Sequence, residues 1–436
     1  MLKPHIVILG AGFGGTYVAK KLVHNVRKGA IDVTIINRTN YFLFTPLLHE
    51  VATGALSPAS VAEPLREIFA GTGIRIAQGT VESIDRTART LKLSGNAASC
   101  DLTYDYLVIA TGAETNYYNI PGAEKFSYAL KNLADAARIR TQIIDSFERA
   151  ILTTDQSERA RLLSFVVVGG GATGVETAAE LAEFVQAMTR RYYNGGQGCD
   201  PMDRRICKPE EVSVSLIHTG PELLQMFKPG LRAAAEKRLR QNKVTIHLNS
   251  TVAEVTAQGV RLTAGEMVSA ATVIWAAGVK PIIPHFEGVQ PALVMGRLGV
   301  DEFFSVNGDE HIFALGDTAG YVDRDVLAKD PTKTVMLPQL AQVAEKQAAC
   351  VARNIISSIR ARPLIDFHFH SKGSMVSVGQ WFAIGEIFSL ALSGRLTWWL
   401  WRTVYLFKFA SWKKRTRIAF EWTLDMFYPR DITKLS

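Results

Sequence analysis

Short, unbroken apolar runs recur along the chain, and each stops at a glycine or a single polar residue. Residues 5–10 (HIVILG), 33–37 (VTIIN), 106–112 (YLVIATG), 165–169 (FVVVG), 212–218 (VSVSLIH), 273–278 (VIWAAG) and 311–316 (HIFALG) have this form. Apolar runs of this length without polar alternation predict strands covered on both faces, as in parallel sheet. Ala-rich stretches with helical spacing follow two of them, one starting near Gly14 and one running from Gly174 to about Thr189. The alternation of strand and helix predicts an α/β fold built from βαβ units.

Both strand-to-helix joints are glycine-rich: GAGFGG at 10–15 and GGGATG at 169–174. In such a joint the first glycine permits the tight turn, the second lets backbone approach a pyrophosphate, and the last lets helix and strand pack closely. The helix start then offers N–H groups and partial positive charge to phosphates. One such motif is weak evidence, but two in strand–turn–helix context predict two Rossmann-like domains and two dinucleotides. The run at 311–316 follows the second unit, so the second domain is expected to be inserted in the first. The boundaries read as 1–120 and 285–370 for the outer domain, 121–284 for the inserted one, and 371–436 for a C-terminal helical region.

The chain has 436 residues, enough for several cored domains. It is 47% hydrophobic, with mean hydropathy +0.08, but has no apolar stretch near the roughly 20 residues of a membrane span. The first strand begins at once, so no signal peptide is expected, and a cytoplasm-facing location follows. Cys100, Cys199, Cys207 and Cys350 show no CxxC and no zinc spacing. Neither a disulfide framework nor a metal site is therefore expected, the one alternative being metal binding or pairing by Cys199 and Cys207, which bracket a polar part of the loop at 194–209; that loop has no other reading. No redox-active cysteine pair follows the first fingerprint, so electrons are expected to leave for an outside acceptor.

Three longer segments narrow the reading: YFLFTPLLHEVATGALSP (41–58), VVVGGGATGVETAAEL (166–181) and LPQLAQVAEKQA (337–348). With the two fingerprints they resemble the type II NADH dehydrogenases, single-subunit NADH:quinone oxidoreductases that do not pump protons. The resemblance implies FAD in the outer domain and NADH or NADPH in the inserted one. For FAD it implies Gly10, Gly12, Phe13, Gly14 and Gly15 at the pyrophosphate, Asn37 and Arg38 at the ribose, and Val81 at the adenine. Ala110, Thr111 and Gly112 would close over the dinucleotide, with Gly316 and Asp317 at the ribityl chain. The bland alternative for Asp317 is a helix N-cap. Leu337-Pro338 reads as a helix opening with proline at its first position, its positive end toward the flavin.

For the nicotinamide dinucleotide the resemblance implies Gly169, Gly171, Thr173, Gly174, His218, Ala277 and Gly278. Glu176 matches a family glutamate between the nicotinamide and quinone regions; its bland reading is a carboxylate stabilised by the helix N-terminus. Two positions depart from the family. His218 stands where an acid normally binds the adenosine 2′-hydroxyl, which removes repulsion of a 2′-phosphate, and a partly protonated histidine would attract one; the bland alternative is a ring that stacks or hydrogen-bonds on the adenosine without discriminating, or merely caps a strand. Gln342 matches the first of two pocket glutamines four apart, but Lys346 occupies the second, its bland alternative being a surface pair with Glu345 or a snorkelling ammonium, and Gln347, one position further, faces elsewhere; Lys372 matches a pocket-edge lysine. Catalysis is therefore expected of Glu176, Gln342, Lys346 and Lys372.

Six of the seven tryptophans lie after residue 380, and residues 395–430 hold eight Lys or Arg against two acids, most of the chain's net charge of +8. Tryptophan interleaved with cations predicts amphipathic helices in an anionic lipid surface. Arg395 and Arg402, seven apart, share a face. A homodimer interface competes with this reading, whereas no nucleic-acid recognition motif accompanies the charge. The sequence thus predicts a peripheral flavoprotein on the cytoplasmic face of a membrane, passing electrons from NADH to a membrane quinone. An NADPH-dependent reductase of a soluble acceptor and a slow membrane redox sensor stay open as alternatives.

Overall fold

The computed structural model describes residues 3–94, 100–193, 207–323, 327, 335–371, 373–388, 390–409 and 411–434. The chain divides into two compact units. The first comprises Met1–Leu43, Ala62–Glu114 and Val279–His370; the second comprises Phe44–Val61, Thr115–Gly278 and Ser371–Ser436. The segment Phe44–Val61, which carries the TPLLHEVATG motif, and the C-terminal residues are thus part of the unit that carries the second fingerprint.

The first unit is built on a six-stranded sheet. Its order is Ser305–Val306, Asp309–Ala314, Tyr106–Ile109, His5–Leu9, Asp32–Asn37 and Arg75–Gln78, all parallel except the first pair. The apolar runs are its buried strands: Val7, Leu9, Ile36, Leu107, Ile109 and Ile312 join one core. Each such side chain contributes about 1.5–3 kcal/mol of burial. Helices Phe13–Arg27 and Ala341–Ile359 pack against each other beside this sheet. An antiparallel sheet of Thr80–Asp85, Thr90–Ser94 and Cys100–Thr103 accompanies it.

The second unit repeats the plan with five parallel strands, ordered Tyr128–Ala129, Thr272–Trp275, Ser164–Val168, Ser213–Ile217 and Val244–His247. It too carries a three-stranded antiparallel sheet, Val252–Thr256, Gly259–Leu262 and Met267–Ser269. The helix after the second fingerprint is Ala172–Met188. Short helix Leu48–Ala52 packs on it and on helix Leu133–Leu152.

The C-terminal region differs from a purely helical tail. Strands Gly373–Ser377, Ala383–Ile387 and Leu390–Gly394 form an antiparallel meander before helices Arg395–Lys408 and Trp412–Phe427. The turns are made by Trp381 and Phe388 at positive φ, conformations that no turn residue announces in the sequence.

Candidate functional site: two dinucleotide turns and a buried carboxyl cluster

In the first unit, Gly10 has φ +93°, and a Cβ there would run into the carbonyl oxygen of Ala110. A Cβ on Gly15 would run into the carbonyl of Gly10, and one on Gly14 would press on Leu315. Gly12 differs: a Cβ there meets nothing within 4 Å. The space above Gly12 is therefore open at the start of helix Phe13–Arg27, where N–H groups lack intrahelical acceptors. The turn is closed by Asn37, whose Oδ1 accepts the Ala11 N–H at 2.9 Å while its amide nitrogen donates to Thr39. Gly79 N–H donates to the Asn37 carbonyl, which brings the segment with half-buried Val81 alongside, and Arg38 is exposed. Phe13 packs edge-on against Phe42. Thr111 donates to Ile282, and Thr318 donates to the carbonyl of Gly112, fixing that glycine at φ +73° with open space above it. An extended pyrophosphate-linked ligand such as FAD fits a turn that is tight at Gly10 and Gly15 yet open at Gly12 and Gly112.

The second turn repeats this closely. Gly169, at φ +120°, abuts the carbonyl of Ala276, Gly174 abuts that of Gly169, and Gly171 faces open space. Thr173 takes the place of Gly14, and its carbonyl accepts the Thr177 hydroxyl. Gly278, at φ +125°, lies against Tyr118, one residue after Ala277. The closing residue is His218: its Nδ1 accepts the Gly170 N–H at 3.2 Å. Burial holds the ring below the ordinary histidine range, against the expected partly protonated, phosphate-attracting histidine.

The long helix of the first unit begins at Ala341 rather than at Pro338. Leu340 is extended (φ −121°, ψ 143°) and serves as N-cap, so Pro338 lies three residues before the first helical position. The residue that reaches the strand end is Gln347, which the sequence set on a face apart from Gln342: it is buried and its Oε1 accepts the Gly316 N–H at 2.7 Å. Gln342 is half-buried in the first turn and Lys346 is exposed. Asp317 sits in the short turn Gly316–Thr318, capped by Leu315 rather than by itself, and lines a small cleft with Arg297, Pro338 and Gln347. The predicted Lys372, Cys199 and most of the loop at 194–209 lie outside the described residues.

Glu176 stands in the second turn of its helix and is buried. Its Oε1 accepts the Ser377 N–H at 3.2 Å, and its Oε2 lies 3.9 Å from His49 Nδ1. Burial raises its pKa well above the carboxylate range, so a carboxylate stabilised by the helix end does not describe it. Burial likewise holds His49 neutral, at about 4. Glu50, pushed up to about 8 by burial, accepts the Trp422 indole N–H at 2.6 Å. Arg430 lies between Glu180 and Asp425, at 2.7 and 2.8 Å.

Two comparisons decide the family. Residues 4–348 match the pyridine nucleotide-disulphide oxidoreductase family and residues 371–431 match the NDH2 C-terminal domain. The chain is also 30% identical to the type II NADH:quinone oxidoreductase NdhA of Mycobacterium tuberculosis, over 96% of this chain and 86% of that protein. The chain belongs to the type II NADH:quinone oxidoreductases. A second such enzyme of that organism, Ndh, is 28% identical over 98% of this chain and 88% of that protein. In fold, the chain is similar to NDH2 of Plasmodium falciparum solved with NADH: TM-score 0.85, 23% identity, 99% of this chain and all of that one covered.

Against this family background, the tail departs from the sequence reading in a second respect besides its meander. Trp398, Trp401 and Trp422 are buried, and Arg402 is held between the rings of Trp398 and Trp422 at 3.9 and 4.8 Å. Arg402 is therefore no lipid-facing cation and does not share the exposed face of Arg395. The exposed apolar residues include Leu396, Trp399 and Phe407 on one helix and Trp412, Phe420 and Phe427 on the other. No helix among the described residues is long and apolar enough to cross a membrane.

Proposed function

We propose that this type II oxidoreductase oxidises NADH and reduces a membrane quinone, using FAD in the first turn and the nicotinamide dinucleotide in the second. The reading rests above all on the paired open positions at Gly12 and Gly171, each flanked by glycines that tolerate no side chain. When bound, FAD would supply the two-electron redox chemistry between nicotinamide and quinone, the overall reaction taking NADH, a proton and quinone to NAD⁺ and quinol. FAD then falls to the unit of Met1–Leu43, Ala62–Glu114 and Val279–His370 and NAD(P)H to the unit that holds Phe44–Val61 and Thr115–Gly278, with 371–436 for membrane attachment.

The chain's own residues bind, orient and supply protons. Gly10 to Gly15 and Gly169 to Gly174 hold pyrophosphates on backbone N–H groups, and Asn37 and His218 fix the two turns. Asp317 is placed to accept hydroxyl hydrogen bonds from a ribityl chain, in a strand end tied by Gln347. Burial favours the protonated form of the Glu176 carboxyl, a proton source for quinone reduction. Gln342 and exposed Lys346 serve as donors toward the quinone head group, with Lys372 as a third donor. The exposed rings and leucine of the last two helices, flanked by Lys408, Lys413 and Arg417, suit an anionic lipid surface on the cytoplasmic side.

The test is NADH oxidation by FAD-loaded protein on liposomes of anionic or zwitterionic lipid, with and without a ubiquinone or menaquinone analogue. Quinone-dependent oxidation, faster on anionic liposomes, is expected. Prompt flavin bleaching with no quinone turnover would instead point to a different acceptor.

A further inference from the structure

The cleft beside Asp317 lies past the carboxyl end of a strand in the first unit's sheet. Strand Asp309–Ala314 stands two places from His5–Leu9, with Tyr106–Ile109 between them, while Asp32–Asn37 flanks His5–Leu9 on the other side. At ordinary strand spacing the end of Asp309–Ala314 is roughly 10 Å from the first fingerprint. Ligands of open parallel sheets lie across such strand ends. A dinucleotide anchored at Gly12, with its adenosine toward Asn37, therefore extends its other half toward this cleft.

Among the described residues, the polar side chains lining the cleft have partners, with one exception. The charges of Asp317 and Arg297 act on each other, Gln347 gives its Oε1 to the Gly316 N–H at 2.7 Å, and the Tyr321 hydroxyl donates to the Phe367 carbonyl at 2.7 Å. Gln339 is the exception: its Nε2 is buried and has no hydrogen-bond partner among the described residues. A buried amide nitrogen in that state is unfavourable until an acceptor reaches it. The backbone fixes where this amide stands. Pro338 precedes it, the Leu340 N–H donates back to the Pro338 carbonyl at 2.9 Å, and the Leu340 carbonyl accepts from Val343 and Ala344 at 3.0 and 3.1 Å. Gln339 is thus the centre of a tight turn pinned between a proline and a helix start.

We propose that Gln339 donates a hydrogen bond to the flavin head of bound FAD and thereby favours its reduced form. The cleft divides the chemistry between two side chains. The Asp317 carboxylate, an acceptor, suits the hydroxyls of a ribityl chain, whereas the Gln339 amide nitrogen, a donor, suits the carbonyl oxygens of the flavin. Reduction builds negative charge on that carbonyl edge, and a donor already held in place stabilises it. This inference rests on the reading of the first unit as the FAD site. It gives to a side chain the role expected of a helix end at Pro338, since the helix begins only at Ala341.

Anaerobic equilibration of the full-length, FAD-loaded protein with a redox dye, followed by absorbance, tests it without turnover. Gln339→Leu keeps the bulk and removes the donor, and is expected to move the flavin–dye equilibrium about threefold or more toward oxidised flavin. Gln339→Lys keeps a donor and adds a positive charge, and is expected to move it about threefold or more the other way. A side chain that only packs would move both variants alike or neither. An equilibrium unchanged in Gln339→Leu, or shifts of the same sign in the two variants, would overturn the proposal. Should Gln339→Leu lose its flavin, Gln339→Lys decides alone: no shift, or a shift toward oxidised flavin, overturns it. Its failure is distinct from failure of the underlying reading. If Gly12→Ala loses flavin while the Gln339 variants leave the equilibrium in place, only the proposal falls. If Gly12→Ala purifies with its full flavin, the assignment of the first unit falls and the proposal with it.

Discussion

The two dinucleotide turns share a backbone and differ in side chains. Both put the first glycine against a neighbouring strand's carbonyl and the last against the first, and both leave the third position open. They diverge at the second position and its partner. The first turn pairs Ala11 with the small amide of Asn37, whereas the second pairs Gly170 with the larger ring of His218. A methyl group is lost where an imidazole is gained, so the pair keeps its volume and its hydrogen bond while changing its chemistry. The glycines that set the turn are thus separable from the pair that closes it.

The largest effects are expected where the two turns are alike. Gly15→Ala and Gly174→Ala each drive a methyl into a backbone carbonyl, which cannot move without opening the turn. Each is expected to lower stability by about 3 kcal/mol or more, above the range of ordinary overpacking. Equal losses of denaturation midpoint support a common backbone; a silent substitution in one unit would break the parallel.

The pair is probed next. Gly170→Ala should cost about 1–3 kcal/mol, because the added methyl meets the His218 ring and Leu223. Combining it with His218→Asn rebuilds the first unit's pair in the second. The combination is expected to recover part of the loss, a coupling of about 0.5–3 kcal/mol in a double-mutant cycle. Strict additivity would mean that Leu223 alone resists the methyl.

The units also differ in buried acid, and pH should act through the second. Burial raises Glu50 to about 8 and Glu183 to about 7, and raises Glu176 as well. Between the ordinary carboxyl range and these values the folded state binds more protons than the unfolded one, so stability falls as pH rises from about 5 to 8. Each such group contributes up to about 1.4 kcal/mol per pH unit in that window. Glu50→Gln, which can still accept from Trp422, is expected to flatten the slope of thermal stability against pH; an unchanged slope would remove Glu50 from this role.

The smallest effect on folding belongs to the open positions. Gly12→Ala and Gly171→Ala meet nothing, and each should leave stability within about 0.5 kcal/mol, as surface changes do. Ligand binding should nevertheless suffer: flavin content in the first variant, NADH affinity in the second.

Much of this plan was legible in the sequence, because unbroken apolar runs ending in glycine leave few alternatives to buried parallel strands. What escaped it has local physical causes. Leu337-Pro338 looks like a helix opening, but extended Leu340 defers the helix to Ala341 and turns Gln347 toward Gly316. The helix Arg395–Lys408 carries tryptophan on both faces, so composition alone does not reveal that Trp398 and Trp401 pack inward while Trp399 stays exposed. The membership of Phe44–Val61 in the second unit depends on long-range packing with helices Leu133–Leu152 and Ala172–Met188, which no local pattern encodes.

The division of labour between the turns is tested most directly by anaerobic rapid mixing of Gly171→Ala, followed through flavin absorbance. The account predicts that the variant purifies with its flavin, is bleached slowly by NADH at concentrations that bleach the wild type promptly, and, once reduced by dithionite, is reoxidised by quinone at the wild-type rate. Wild-type bleaching by NADH, or loss of the flavin itself, would contradict the assignment of the second turn to the nicotinamide dinucleotide.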